Sequence, residues 1–191
     1  KKCYVHWIKV KELISAGMWN SISRLSQVLS DGLDLVITNI WISAYLMGEL
    51  SIAQQIPTYI STLTNTLINL FSPNLTMYYA KDDTEAVVKE LKLSMKFSSF
   101  FVNIIFCILV IFGKYFMQLW VPNQDVNLIY SLLVVIMMSL LVSGVTTSLN
   151  NVFLVTNRLK VNSIFWLIIS FTNVLLVFIF LNTTSLGIYA V

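Results

Sequence analysis

Five long apolar segments alternate with short polar connections along the chain, and none shows the period-two alternation of a barrel strand. The segments cover residues 13–46, 49–80, 91–112, 126–155 and 161–181. Apolar runs of about 18 residues or more are typical of membrane-spanning helices. A turn is predicted at Gly48 and Glu49, and Pro57 and Pro73 favour kinks because proline lacks a backbone donor. The pattern predicts an all-α integral membrane protein, with five transmembrane helices in a single membrane domain, residues 1–191.

The first predicted helix carries a polar stripe on one face. Its polar residues recur at intervals of three and four, which places them on one side of a helix: Asn20, Arg24, Gln27, Asp31, Asp34 and Thr38. An ionisable group at mid-bilayer costs roughly 2.5–3.5 kcal/mol on insertion scales, and it usually faces a bundle interior or a water-filled cavity. The stripe therefore indicates a transport route more strongly than a packed core.

The second predicted helix repeats this design, and the fourth and fifth carry weaker versions. Its stripe consists of Thr58, Thr62, Asn65, Asn69, Ser72 and Thr76. Such side chains can also hold helices together, at about 0.6 kcal/mol per hydrogen bond. We favour packing for the fourth and fifth helices and cavity lining for the second. The predicted substrate cavity is lined by Asn20, Arg24, Gln27, Thr62, Asn65 and Asn69.

Arg24 is the most informative single residue of the stripe. A permanently charged guanidinium suits bidentate capture of a phosphate or pyrophosphate. Two alternatives stay open: an internal ion pair with Asp31, and a side chain that extends back toward the cytoplasm. Asp31 and Asp34 are candidates for coupling to H⁺ or Na⁺, because a carboxyl group in a partly dry site takes up a proton more readily. Neutralisation by Arg24 is the alternative for both acids.

Composition and charge agree with the membrane prediction. The chain is 57% hydrophobic and 11% charged, whereas soluble domains are typically about 25% charged. Its mean hydropathy is +0.80. All of the 12 lysines and arginines except Arg24 and Lys114 precede the first helix, lie between the second helix and the first turns of the third, or lie between the fourth and fifth helices. Because basic loops stay on the cytoplasmic side, the N-terminus is predicted to be cytoplasmic.

Several functional classes are disfavoured by what the sequence contains. The net charge of +3 comes without an arginine-rich face, so no nucleic-acid partner is expected. One histidine and two separated cysteines predict neither a metal site nor a disulfide. A membrane-embedded polysaccharide enzyme should carry a His/Asp pair or several arginines in a large outer loop. We therefore expect no catalytic residues, no cofactor and no enzyme activity.

Short strings spread over the whole chain resemble one transporter family. They are KELISAGMWNS at 11–21, DGLDL at 31–35, MGELSIA at 47–53, FSP at 71–73, YYAKD at 78–82, LWVP at 119–122 and VTNRLKVNS at 155–163. Together they resemble the bacterial polysaccharide or O-antigen repeat-unit flippases, the Wzx-like members of the multidrug/oligosaccharidyl-lipid/polysaccharide exporter superfamily. These motifs are diffuse and carry no catalytic residue.

The resemblance implies a MATE-like transporter with two lobes of six helices around a central cavity. The five predicted helices would form most of the C-terminal lobe, and the N-terminal lobe of the same chain would be its partner. The implied cargo is an oligosaccharide repeat unit on undecaprenyl pyrophosphate. It would cross the bacterial cytoplasmic (inner) membrane by alternating access, among membrane lipids, for assembly of O-antigen, capsule or exopolysaccharide. Arg24 is the position to which the resemblance assigns pyrophosphate contact.

Three other functions remain open from the sequence. The first is a cation-coupled drug or metabolite exporter of the same superfamily, although the Thr and Asn stripe favours a sugar. The second is a membrane-embedded polysaccharide enzyme, which the short outer loops disfavour. The third is a scaffold whose polar stripes serve only helix packing. Substitution of Arg24 by Ala and by Lys would separate this last alternative from a transporter.

Overall fold

The structure, a computed structural model, describes residues 7–156, 159–184 and 187–190. These ranges form six α-helices and a short 3-10 helix (Gly187–Ala190), and they contain no strand. The helices are α1 (Trp7–Trp41), α2 (Ala44–Asn69), α3 (Ser72–Ala80), α4 (Thr84–Trp120), α5 (Val126–Val155) and α6 (Leu159–Thr183). The prediction of an all-α protein is confirmed.

Three of the described helices are long and apolar enough to cross a membrane. They are α4, α5 and residues Lys160–Thr183 of α6. The polar stripes make α1 and α2 less apolar, so five spanning helices remain a prediction. At 1.5 Å per residue the 37 residues of α4 extend about 55 Å, well beyond a hydrocarbon core of about 30 Å. The charged first turns of α4 can therefore stand outside the membrane.

The first turn lies several residues before its predicted place. Gly48 and Glu49 belong to α2, and the chain instead turns at Ile42 and Ser43. The N–H groups of both turn residues donate to the Thr38 carbonyl, at 3.0 Å each. The Ser43 hydroxyl accepts a hydrogen bond from the Leu46 N–H, which caps α2. The prediction was wrong because a glycine such as Gly48 is tolerated inside a helix. In addition, no charged residue accompanies the Ser43 cap to indicate a helix start in the sequence.

The two prolines of the second segment behave differently. α2 continues through Pro57, which is buried. The helix ends at Asn69, and Pro73 occupies the first turn of α3, where the missing N–H of proline leaves no helical hydrogen bond unmade. The predicted single helix over residues 49–80, with a kink at Pro73, is therefore two helices that are separated just before Pro73. The charged stretch after α3 is helical from Thr84, and Asp83 caps α4 by accepting from the Ala86 N–H at 3.0 Å.

The helices pack in two groups. α2, α4 and α5 share an apolar core that also includes Ile188 of the 3-10 helix, and its buried helical members are Leu50, Ala53, Ile60, Met117, Ile129, Leu132, Leu133 and Met137. Ser98 on α4 donates to the Gly144 carbonyl on α5 at 2.9 Å, and Ser94 lies 3.2 Å from Ser148 between their hydroxyl oxygens. α1 packs mainly against α6 and contacts α2 along a smaller surface.

Two ends of the helix bundle can be distinguished by charge. The basic end holds Lys81 in the turn before α4 and Lys160 at the start of α6. The opposite end holds the α1–α2 turn and the α4–α5 turn.

Candidate functional site

The polar stripe of α1 begins as an exposed face. Asn20 and Arg24 are exposed, and Gln27 is half-buried. Further along α1, Asp34 is half-buried, and Thr38 is fully buried and donates its hydroxyl to the Asp34 carbonyl at 2.8 Å. The stripe therefore changes from an open surface near the basic end to a packed one near the opposite end.

Of the two residues predicted to couple to an ion, the structure describes the side chain of Asp34 but not that of Asp31. The half-buried Asp34 side chain has an interaction partner. The Asp31 side chain lies outside the described part of the structure, and so does its predicted ion pair with Arg24. Coupling to H⁺ or Na⁺ through this pair remains a prediction.

α1 packs against α6 through small hydroxyl side chains and not through its stripe. Ser23 on α1 and Ser163 on α6 are both buried, with their hydroxyl oxygens 2.7 Å apart. Ser163 also donates to the Trp19 carbonyl at 2.7 Å, and Ser170 donates to the Ser26 carbonyl at 3.1 Å. These contacts, called the serine seam below, leave Arg24 and Asn20 unused for packing. The seam also agrees with the packing interpretation favoured for the polar residues of α6.

The depth of Arg24 follows from its neighbours. The Lys160 ammonium lies 5.6 Å from the centre of the Trp19 ring, so Trp19 is level with the basic end of α6. Arg24 is five residues further along α1, about 7.5 Å deeper at 1.5 Å per residue. A guanidinium at this depth can face a cavity or extend back toward the basic end. Its exposure fits both interpretations.

The stripe of α2 is also an exposed face. Thr62, Asn65 and Asn69 are all exposed, whereas the other side of α2 buries Ile60, Thr64 and Ile68 against its neighbours. The Thr62 hydroxyl donates to the carbonyl of its own helix one turn earlier, at 2.9 Å. Its oxygen therefore still has acceptor capacity toward the surface.

Asn65 borders a small polar groove between α2, α4 and α5. The cavity volume is about 10 Å³, and the lining includes Ser61, Thr64, Ser143 and Thr147. This volume suffices for about one water molecule. The groove is therefore too small to hold a sugar, and a larger cavity would need surfaces beyond these helices.

Glu49 is a candidate residue that the sequence analysis treated as part of a turn. It lies in the second turn of α2 and is only 1% exposed. Its Oε1 accepts a hydrogen bond from the Asp125 N–H at 3.4 Å, and Oε2 has no hydrogen-bond partner among the described residues. No local pattern could have identified it, because its burial results from α5 packing against α2. The described residues contain no group of three carboxylate, histidine or cysteine side chains able to hold a metal ion.

The fold and these helix faces define an all-helical protein embedded in a membrane. Its sequence is similar to the "Uncharacterized membrane protein EpsK" of Bacillus subtilis (strain 168), with 25% identity over 181 residues. The similarity covers 95% of this chain and 36% of EpsK, so the chain spans about a third of that relative's length. No protein-family model and no solved structure matches the chain.

Proposed function

We propose that the protein is part of a transporter that moves an oligosaccharide repeat unit, linked to undecaprenyl pyrophosphate, across the bacterial cytoplasmic membrane. Transport would proceed by alternating access, with no covalent bond made or broken and no cofactor. The described helices would form most of one lobe of a multi-pass, MATE-like protein, and a second lobe of the same chain would close the cavity. The similarity to a membrane protein over nearly the whole chain is compatible with this proposal.

The observation that carries the proposal is that Asn20 and Arg24 on α1, and the stripe residues Thr62, Asn65 and Asn69 on α2, stay exposed after the helices have packed. If the stripes served only to hold helices together, α1 should use them against α6. It uses the Ser23 hydroxyl and the Ser26 carbonyl instead, while Asn20 and Arg24 remain on the surface. Polar faces that lipid would not solvate favour a water-filled cavity between lobes. The hydroxyl and amide groups of Thr62, Asn65 and Asn69 offer the hydrogen bonds that a sugar needs.

Within this proposal Arg24 binds the pyrophosphate. Its guanidinium can donate two parallel hydrogen bonds to phosphate oxygens, which a single ammonium group cannot reproduce. Asn20 and Gln27 lie one turn before and one turn after it and would contact the same part of the cargo. Asp31 and Asp34, deeper in α1, would couple the cycle to H⁺ or Na⁺.

The test is export of surface polysaccharide by Arg24 variants of the full-length protein in a strain that lacks the native copy. Arg24→Ala should lower export about tenfold or more, because hydrogen bonds to charged groups contribute about 1.5–3 kcal/mol. Arg24→Lys should fall between this variant and the native protein. Leu25→Ala, on the neighbouring exposed apolar face, is the matched control and should export normally at equal protein abundance.

Native export by both Arg24 variants would contradict pyrophosphate binding by this residue.

The cargo itself is tested in the same strains by locating the lipid-linked intermediate. Loss of transport should leave that intermediate in the cytoplasmic leaflet. Unchanged polysaccharide together with altered drug susceptibility would instead support the drug-exporter alternative.

A further inference from the structure

Two acidic residues meet at the opposite end of the bundle, where α2 and α5 begin. The backbone N–H of Asp125 donates to Glu49 Oε1 at 3.4 Å. The Asp125 side chain caps α5, since its Oδ1 accepts from the Asn127 and Leu128 N–H groups at 3.1 Å each. The start of α5 therefore contacts Glu49 through the Asp125 backbone, and the Asp125 charge acts on Tyr45, one turn before Glu49.

Glu49 has a buried oxygen with no partner in this arrangement. The residue is 1% exposed, and its Oε2 has no hydrogen-bond partner among the described residues. An ionised carboxylate has acceptor sites only, so a second carboxylate cannot satisfy it. Buried charges in proteins are normally paired or coordinated to a cation, because burial without compensation is costly. A small cation bound at Oε2 would satisfy this oxygen.

The groups around Glu49 indicate what kind of cation fits. Tyr45, one turn earlier on α2, is 60% exposed. Its hydroxyl interacts with the Glu49 carboxylate and with the charge of Asp125. All these potential ligands are oxygens, which hard cations prefer. In the described part of the chain no third acidic, histidine or cysteine ligand joins them, which disfavours a transition metal.

We propose that Glu49, together with Tyr45 and Asp125, binds an alkali-metal cation, Na⁺ or K⁺. Because Glu49 is only 1% exposed, a small ion suits this site better than a lysine or arginine side chain from another polypeptide. This site is separate from Asp31 and Asp34 on α1, and it does not depend on the proposed cargo. Binding can therefore be tested without any transport measurement.

The experiment measures the thermal unfolding of the purified full-length protein in detergent. Na⁺ or K⁺ replaces N-methyl-D-glucamine at constant ionic strength. A cation that binds only the folded state raises Tm progressively with its concentration, and one of the two should raise it by about 3 °C or more at saturation. The response to Na⁺ compared with K⁺ identifies the ion. Equal Tm values in all three salts would overturn the proposal.

Variants connect the response to the site. Glu49→Gln removes the charge and should abolish the Tm increase, whereas Glu85→Gln, the same change at an exposed position in the first turn of α4, should retain it. Tyr45→Phe provides a second readout if Glu49→Gln folds poorly, and it should raise the cation concentration for half-maximal response about fivefold or more. A native response in both Glu49→Gln and Tyr45→Phe would refute the site. That result would leave the Arg24 proposal intact, because Arg24 is tested by export.

Discussion

Arg24 and Glu49 are two charged residues that the fold places in opposite surroundings. Arg24 lies on an exposed face of α1, beside a serine seam that does the packing. Glu49 lies inside the contact between α2 and α5, and none of the described residues forms a hydrogen bond to its Oε2. A charge on an exposed helix face can serve a large ligand, whereas a buried charge can be reached only by a small one. Charge in a membrane helix thus has to be interpreted together with the packing around it.

Charge reversal at Glu49 and at Arg24 should give the largest difference in protein stability between the two positions. Glu49→Arg places a longer cation in a filled site that the Asp125 N–H also faces, and we expect it to lower the free energy of unfolding by about 3 kcal/mol. Arg24→Glu changes an exposed side chain and should alter stability by less than about 0.5 kcal/mol. It should nevertheless abolish polysaccharide export.

The measurements are thermal unfolding and size-exclusion profiles of the full-length variants, combined with the export assay. Glu49→Arg should appear as aggregated or low-yield protein, and Arg24→Glu as a native-like, inactive one. Equal destabilisation by the two variants would remove the distinction between an exposed and a buried charge.

A smaller effect is expected at the serine seam. Ser163→Ala removes hydrogen bonds to Trp19 and Ser23 and should cost about 1 kcal/mol, within the range measured for polar contacts between membrane helices. Asn20→Ala, on the neighbouring stripe, should change stability by less than about 0.5 kcal/mol. Thermal unfolding of both variants measures whether the serine seam or the polar stripe contributes more to holding α1 in place. A larger loss for Asn20→Ala than for Ser163→Ala would mean that the stripe, and not the seam, holds α1.

Features with a local cause could be predicted from the sequence. Residues 126–155 were predicted as one helix and form α5 with the same limits, because an uninterrupted apolar run follows the capping residue Asp125. The break near Pro73 follows from the missing proline donor. The three- and four-residue spacing placed Asn20 and Arg24 on one face of a helix, and both lie on an exposed face.

Features that depend on long-range contacts could not be predicted. Thr38 belongs to the stripe by spacing, yet it is fully buried and bonded within α1. Glu49 followed a glycine and was assigned to a turn, although its surroundings are set by Asp125, 76 residues later. The earlier start of α4, at Thr84 and not at 91, has a local cause in the Asp83 cap, which the sequence analysis did not use. Helical spacing identifies a face but not what covers it.

The central claim, that the stripes of α1 and α2 line a water-filled cavity, can be tested by single-cysteine labelling. Cysteines replace Asn20, Gln27, Thr62, Asn65 and Asn69 one at a time in the full-length protein, with Cys3 and Cys107 changed to serine. The control positions are Leu25, Val28, Tyr59 and Leu63, which are exposed and apolar or aromatic. Both membrane faces are made accessible to a membrane-impermeant maleimide, which reacts with thiolates in contact with water.

The account predicts labelling of the stripe positions within minutes and little labelling of the controls, because lipid should cover the control face. Protection of both sets, or labelling of the controls alone, would contradict it and would make the stripes packing surfaces.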